Sequence, residues 1–301
     1  MSRVLLTAVV LLVGTPAVQA RRDGHRAPIP ISRVGRSLPG GANPRLVETS
    51  DGKRYAAKHP DNPQGRRVLA NEWICGKLAR ALRLPVQAVS VLRYDGTGEA
   101  WANGRAPGGT KPRRPARVLG VEWWGNPDRG DTFDRAPEKL DEAARKALRS
   151  ALPFDKWVGN TDTRQALFRR AGAGRFNVRL IDHGLAFNGE KWSWPDKALH
   201  GVEWYHHAYD GVVSMDAFRE QINAINKLSP RRIRAIVMST PREWVHDDPK
   251  QAKRLLSKLA SDLIARRPKV EELVLDTVYN REVCPTWPRD LVPAWLKRVG
   301  R

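Results

Sequence analysis

Cysteine is scarce in this chain, with two in 301 residues, Cys75 and Cys284. Neither has a His or a second Cys at metal-ligand spacing, which argues against a zinc site, and a bridge between them would need folded proximity. Cys75 lies in an apolar helical pattern and reads as a small buried thiol. Long hydrophobic runs are also missing. The longest, Val4 to Gly14, falls short of the roughly 20 residues of a membrane span, so no integral membrane protein is indicated. Internal repeats and low-complexity tracts are absent. With 41% hydrophobic and 28% charged residues, 24 Gly and 22 Pro, collagenous, fibrous and wholly disordered classes are excluded. Acidic residues are few, 32 against 53 Lys plus Arg, giving a formal charge of +21 and a pI near 10.7. Such a field draws nucleic acid, phosphate ligands or acidic membrane surfaces, and names a class of partner rather than a molecule. The basic residues, 38 Arg and 15 Lys, are scattered in pairs such as Arg66-Arg67 and Arg231-Arg232, with no dense basic tail. A general use of Arg on solvated faces accounts for them as well as a nucleic-acid surface does.

What is present begins with a three-part secretory pattern: Arg3, the apolar run, and the small-residue ending Ala17-Val18-Gln19-Ala20. Alone it predicts export. Arg21 to Pro30 reads as a flexible approach to the first ordered element. The remaining length allows one large domain or two lobes. Arg45 to Thr49 and Arg54 to Lys58 read as strands joined at Ser50-Asp51-Gly52. Leu69, Trp73, Gly76 and Leu78 mark a helix that stops at Leu84-Pro85. Val86 to Leu92 and Arg117 to Trp124 read as further strands around a Gly/Pro-rich loop, Asp95 to Pro115. Beyond Asp131 the chain turns helical. One helix opens at Pro137, a capping box is expected at Thr240-Pro241-Arg242-Glu243, and Asp248-Pro249 opens a helix with an apolar stripe from Ala252 to Leu263. The expected organisation is a signal-like and flexible segment over 1–30, a sheet-rich lobe with one helix over 31–136, and a helical lobe over 137–301.

Four features stand in the order that phosphoryl transfer requires. Gly40 and Gly41 precede a strand, where backbone N–H groups can approach phosphate oxygens, although an ordinary turn has the same composition. Lys58 ends a strand, and Glu72 follows fourteen residues later on a helix, the arrangement by which kinases aim an ammonium at the α and β phosphates. A solvated lysine and an unrelated glutamate are the plain alternative. Asn160-Thr161-Asp162 leaves an apolar helix for a polar loop, placing Asp162 to orient or deprotonate an acceptor hydroxyl, or simply to stop the helix. Asp182 follows the strand Val178 to Ile181 and precedes His183-Gly184. A carboxylate there can hold Mg²⁺, a hard ion that prefers oxygen. The twenty residues from Asp162 to Asp182 are the length of a β-hairpin that would return both acids to one cleft. Adjacent histidines in Glu203-Trp204-Tyr205-His206-His207 project in different directions and suggest no metal pair. The 11 tryptophans read as packing residues rather than stacking platforms.

Together, Gly40-Gly41, Tyr55-Ala56-Ala57-Lys58, Asn62-Pro63-Gln64-Gly65-Arg66-Arg67, Asn71-Glu72, Leu84-Pro85-Val86, Asp155-Lys156-Trp157, Asn160-Thr161-Asp162 and Ile181-Asp182-His183-Gly184 resemble the compact HipA-like kinase domain from about Val34 to Arg267. The resemblance implies an α+β, two-lobed, protein-kinase-like fold with ATP and Mg²⁺ between the lobes. Lys58 would contact ATP phosphates, Asp162 would be the catalytic aspartate and Asp182 a Mg²⁺ ligand. It also implies a protein Ser or Thr hydroxyl as acceptor and a regulatory, antitoxin-like partner. The family's metal-binding Asn, five residues after the catalytic Asp, is here Leu167, with Gln165 as the substitute ligand. The other reading is a catalytically impaired, basic module that binds nucleic acid or protein. Asp131 to Ala136 is the expected adenine hinge by position. ATP chemistry points to the cytoplasm, with a start codon set too early, whereas the amino terminus points to export.

Overall fold

The computed structural model describes residues 27–97, 114–126, 131–204 and 206–288, so the signal-like segment and most of the Asp95 to Pro115 loop lie outside the described residues. The first half contains strands β1 (Ile29–Ser37), β2 (Arg45–Thr49), β3 (Arg54–Lys58), β4 (Val89–Tyr94) and β5 (Ala116–Glu122), with helix α1 (Arg67–Ala81) between β3 and β4. The strands close into a barrel in the order β1-β2-β3-β5-β4. Antiparallel neighbours run through the set, and the closing pair is parallel, Ile29 with Leu92 and Pro30 with Arg93. β1 thus starts inside the stretch expected to be a flexible approach, held by that pairing and by Ser50 N–H on the Pro30 carbonyl.

Strand alternation decides which way Lys58 points. Val47, Tyr55, Ala57, Leu92, Tyr94 and Val118 fill the barrel, so with a side-chain period of two Lys58 turns outward, toward α1. That helix is buried on most of its circumference, eleven of its fifteen residues, Asn71 and Glu72 among them, because the barrel covers one side and the second half of the chain the other. Its approach to β4 is close at Gly76, where a Cβ would sit 2.9 Å from Val89 Cγ1. Leu69, Ile74 and Leu78 of α1 share one core with Leu148, Phe154 and Trp157 of the next helix and Leu180 beyond it. Cys75 is buried there, and no disulfide joins it to Cys284.

The second half consists of α2 (Glu142–Val158), the hairpin β6 (Gln165–Gly172) and β7 (Arg175–Ile181), then α3 (Asp216–Lys227), α4 (Pro230–Met238), α5 (Pro249–Arg266) and α6 (Val270–Val278). α2 begins five residues after Pro137. Its cap is Asp141, an extended residue whose carboxylate accepts from Ala144 N–H. The expected capping box at Thr240 is also replaced. Thr240 Oγ1 donates to the Val237 carbonyl instead, and Arg242–Trp244 forms only a short 3-10 turn. Asp248 does cap α5, accepting from Lys250 N–H, and Leu256, Leu259 and Leu263 are buried along its stripe. No helix among the described residues is long and apolar enough to cross a membrane.

Candidate active site

Three charged side chains from distant parts of the chain meet where the barrel, α1 and the β7 end converge. Lys58 Nζ lies 2.6 Å from Glu72 Oε1 and 3.1 Å from Asp182 Oδ1. Lys58 and Glu72 are buried, whereas the Asp182 side chain keeps 35% of its surface exposed, so the trio opens to solvent on the aspartate side. Burial pulls the Lys58 ammonium down, but the two carboxylates outweigh it and hold the lysine above its ordinary value, fully protonated. Burial likewise pushes Asp182 up, and the Lys58 charge overrides it, bringing the carboxyl down to about 2. Asp182 is therefore an ionised oxygen donor. It stands at a positive φ of 55°, in the left-handed region that Asp tolerates better than most residues, and this backbone turn carries the chain from β7 into Gly184.

The second acid arrives by a separate route. α2 ends at Gly159, whose left-handed conformation (φ 57°) terminates the helix and releases the chain into the loop of Asp162. Asn160 ties this loop back, donating from Nδ2 to Asp155 Oδ1 at 3.1 Å, and accepting from Asp162 N–H on its own Oδ1. Thr161 N–H and Oγ1 both donate to the Leu185 carbonyl at 3.2 Å, which joins the loop to the segment after Asp182. The hairpin predicted from the spacing is β6–β7, with Gln165 paired to Ile181, so Asp162 and Asp182 flank the same hairpin end. Asp162 is partly exposed and accepts from Thr163 N–H and, at 3.2 Å, from Gln165 Nε2.

Arg164 braces the two acid-bearing turns, and reading the sequence did not single it out. Its guanidinium makes a bidentate pair with Asp155 at 2.7 and 2.5 Å and donates to the Ile181 carbonyl, one residue before Asp182. Its remaining contact is His183 Nδ1, at 3.3 Å. Burial holds His183 well below its ordinary value, and the Arg164 charge adds to that, so the ring is neutral. Asn71 does more than the Asn71-Glu72 motif alone indicates. Its Nδ2 lies at 2.7, 2.9 and 3.0 Å from the carbonyls of Gly184, Ala186 and Gly189, and its Oδ1 accepts from Trp192. Consecutive residues of α1 thus fasten the post-Asp182 segment and the β3 lysine. A buried Asn beside a buried Glu in an apolar helix was the available signal, since unpaired polar groups are not tolerated there.

The remaining expectations find their places. Gly40, at a φ of 133° that favours glycine, and Gly41 form the turn between β1 and β2. A Cβ on Gly41 would lie 2.5 Å from Gln64 Nε2, so this turn sits against the Asn62 to Arg66 segment that leads into α1. Leu167 lies within β6, opposite Arg179, rather than in the loop. Asp131 to Ala136 runs along the hairpin: Phe133 and Phe168 exchange both backbone hydrogen bonds, at 3.0 and 2.7 Å, and their rings stack. At its other end Asp131 Oδ1 accepts from Asn126 N–H at 2.9 Å, in the segment that follows β5. Among the described residues no three His, Cys, Asp or Glu converge as a metal cluster.

A family model described as HipA-like kinase matches residues 31–268. No curated protein matches the chain. Among solved structures, the Golgi casein kinase with Mn and ADP bound aligns with a TM-score of 0.51 at 12% identity, covering 89% of this chain and 78% of that one. The Helicobacter pylori proinflammatory kinase CtkA aligns at 0.47 and 12% identity over 81% and 99% of the two chains. HipA of Shewanella oneidensis, solved with HipB and operator DNA, aligns at 0.36 and 14% over 68% and 57%. The fold is protein-kinase-like, an α+β arrangement of a sheet-rich amino-terminal part and a helical carboxy-terminal part.

Proposed function

This chain belongs to the HipA-like kinase family, and we propose that it transfers the γ-phosphoryl group of Mg-ATP to a Ser or Thr hydroxyl of a protein. The observation that carries the proposal is the placement of Lys58 Nζ within 3.1 Å of both Glu72 and Asp182, residues that lie far apart in sequence. The donor set fits the cofactor. Mg²⁺ takes hard oxygens from one or two carboxylates and completes its shell with phosphate and water, and Asp182 is an ionised, part-exposed carboxylate beside a fixed ammonium. Bound Mg-ATP supplies the transferable phosphoryl group and spreads its charge over metal and lysine. In this reading Lys58 holds phosphate oxygens, Glu72 fixes its direction, Asp182 holds the metal, and Asp162 takes the acceptor's proton. Gln165 offers an amide oxygen beside Asp162 as a further metal contact, and Gly40 and Gly41 offer backbone N–H groups to the phosphates. An antitoxin-like regulatory partner belongs to the proposal through the family, and a cytoplasmic setting, with a start codon set too early, through the need for ATP. Mass spectrometry of the native amino terminus tests the setting.

A thermal-shift titration with Mg-ATP tests the nucleotide site. Stabilisation of the wild type is expected, lost in Lys58→Ala and stripped of its Mg²⁺-dependent component in Asp182→Ala. An unchanged shift in Lys58→Ala overturns the reading. Incubation with γ-labelled ATP and a matched lysate tests transfer, with label on a discrete acceptor that Asp162→Asn abolishes. Leu167 favours a second reading, because it offers no oxygen where the family places a metal-binding Asn: a kinase-shaped protein acting through its basic surface. Its mark is nucleic-acid binding that is steeply salt-dependent and survives Asp162→Ala.

A further inference from the structure

Helices α1, α4 and α5 lie side by side. Trp73 Nε1 donates to Ser239 Oγ at 3.1 Å just past the end of α4, and Arg83, just past the end of α1, shares a groove with Lys227 ahead of α4, so α1 and α4 run antiparallel. Ser257 Oγ donates to Met238 Sδ at 3.9 Å and Arg267 Nη1 to the Leu228 carbonyl at 2.7 Å, which sets α5 antiparallel to α4. Ile233, Ile236 and Val237 of α4 and Leu256, Leu259 and Leu263 of α5 are buried, so the charged sides of both helices turn outward. That outer face is nearly all positive. The sequence holds five cations and no carboxylate between Glu220 and Glu243, and four and none between Asp248 and Asp262. The acids at its border are engaged: Asp262 with Lys258, Asp247 with Arg66, Glu243 with Arg117, and Asp248 as the α5 cap. Arg80, Arg231, Arg232, Arg234, Lys253 and Arg254 are exposed, and none has an ion-pair partner among the described residues.

We propose that this face binds the phosphate backbone of duplex DNA, an interaction that goes beyond the phosphotransferase reading and does not depend on it. Uncompensated like charges on neighbouring helices create a local positive field, and arginine forks match phosphate oxygens two at a time. From Arg231 to Met238 along α4, then from Ser257 back to Lys250 along α5, the face extends about 20 Å at about 1.5 Å per residue, the length of roughly six base pairs. An acidic membrane surface would require apolar side chains to bury beside the charges. The exposed large hydrophobic residues among those described, Leu199, Trp204 and Val213, lie on none of these helices. A single strand would require aromatic rings for its bases. α4 and α5 carry none, and Trp73 of α1 is 6% exposed, with Lys77 Nζ over it at 4.0 Å from the ring centroid. A duplex needs neither. Contacts confined to phosphates carry no base information, so binding is independent of sequence.

The test uses the full chain and a fluorescein-labelled, mixed-sequence duplex, followed by anisotropy at rising KCl. The logarithm of the association constant should fall against the logarithm of salt with a slope of about −4 or steeper, as about four or five phosphates are neutralised. Arg231→Gln/Arg232→Gln/Arg234→Gln on α4 should weaken binding at least about tenfold and flatten the slope by about 2–3. Lys253→Gln/Arg254→Gln on α5 should act in the same direction. Arg36→Gln/Arg93→Gln/Arg281→Gln, which removes as much charge as the α4 variant from exposed positions elsewhere, should stay within about twofold of the wild type. The replaced side chains are exposed, so the free variants should melt with the wild type; should the α4 variant melt lower, the α5 variant decides. Failure of the wild type to bind the duplex overturns the proposal. Equal weakening by the α4 variant and the distant one also overturns it, because net charge alone would then account for binding. Tighter binding to oligothymidine, to phosphatidylcholine–phosphatidylserine vesicles or to a poly-Glu peptide than to the duplex overturns the assignment of the partner.

Discussion

Arg164 holds Asp155 with two hydrogen bonds, Nε to Oδ2 at 2.7 Å and Nη2 to Oδ1 at 2.5 Å, and the two side chains are 1% and 0% exposed. Neither ion is isolated. Asp155 also accepts from Asn160, and Arg164 also reaches the Ile181 carbonyl. The pair thus sets the spacing between the Asp162 loop and the Asp182 turn.

Removing one member leaves a buried, uncompensated charge. Arg164→Met should cost about 3–5 kcal/mol in urea unfolding. The double variant Asp155→Leu/Arg164→Met should lose less than the sum of the single changes, because the second change removes the stranded charge. Strict additivity would falsify the coupling.

Asn71 supports the Asp182 segment from the other side. Asn71→Leu removes the donor shared by three carbonyls and the acceptor for Trp192, which should destabilise the fold by about 2–4 kcal/mol. Under the proposed function, the Mg²⁺-dependent part of the ATP thermal shift should fall more than the Mg²⁺-free part, since the segment that loosens follows Asp182 directly. Equal losses in both parts would remove this role from Asn71.

Lys156 gives a pH signature. It is buried, and its ammonium donates to the Lys197 and Ala198 carbonyls at 2.9 and 2.8 Å. Burial lowers its pKa from 10.5 to about 8, against the attraction of Asp276, Asp155 and Asp196. Between those values the unfolded chain keeps a proton that the folded chain has released, so this residue's contribution makes stability rise with pH through the window, by up to about 1.4 kcal/mol per pH unit. Cys75, whose thiol burial pushes up, acts in the opposite direction in the same range. The informative quantity is therefore wild type minus Lys156→Met, followed by urea unfolding from pH 7.5 to 10. That difference should grow with pH; parallel curves would contradict the depressed value.

Gln165 and Leu167 separate by position. Gln165 Nε2 is 3.2 Å from Asp162 Oδ2, whereas Leu167 is a strand residue opposite Arg179. Gln165→Ala should raise the Mg²⁺ concentration that half-saturates the ATP shift several-fold, and Leu167→Asn should leave it within about twofold. The reverse ranking would return the metal-contact role to position 167.

Much of this site was readable in one dimension because its parts are local. Lys58 was legible from a five-residue strand and Glu72 from helical spacing, and the Asp162 to Asp182 interval gave the hairpin. Arg164 was not legible, since its role depends on Asp155, Ile181 and His183 converging in space, and an arginine in this chain is an unremarkable letter. The same reason hid the basic face of α1, α4 and α5. The start of α2 was misplaced because Pro137 and Asp141 are both good openers, and only the Ala144 amide distinguishes them. β1 was overlooked at Ile29 because what holds it there is a strand sixty residues away.

Closure of the five strands by the Ile29 and Pro30 pairing has a last consequence. At that end the two strands occupy each other's backbone edge, so a visiting polypeptide cannot insert a strand of its own between them there. A protein that docks at this seam of the barrel must recognise side chains rather than strand backbone.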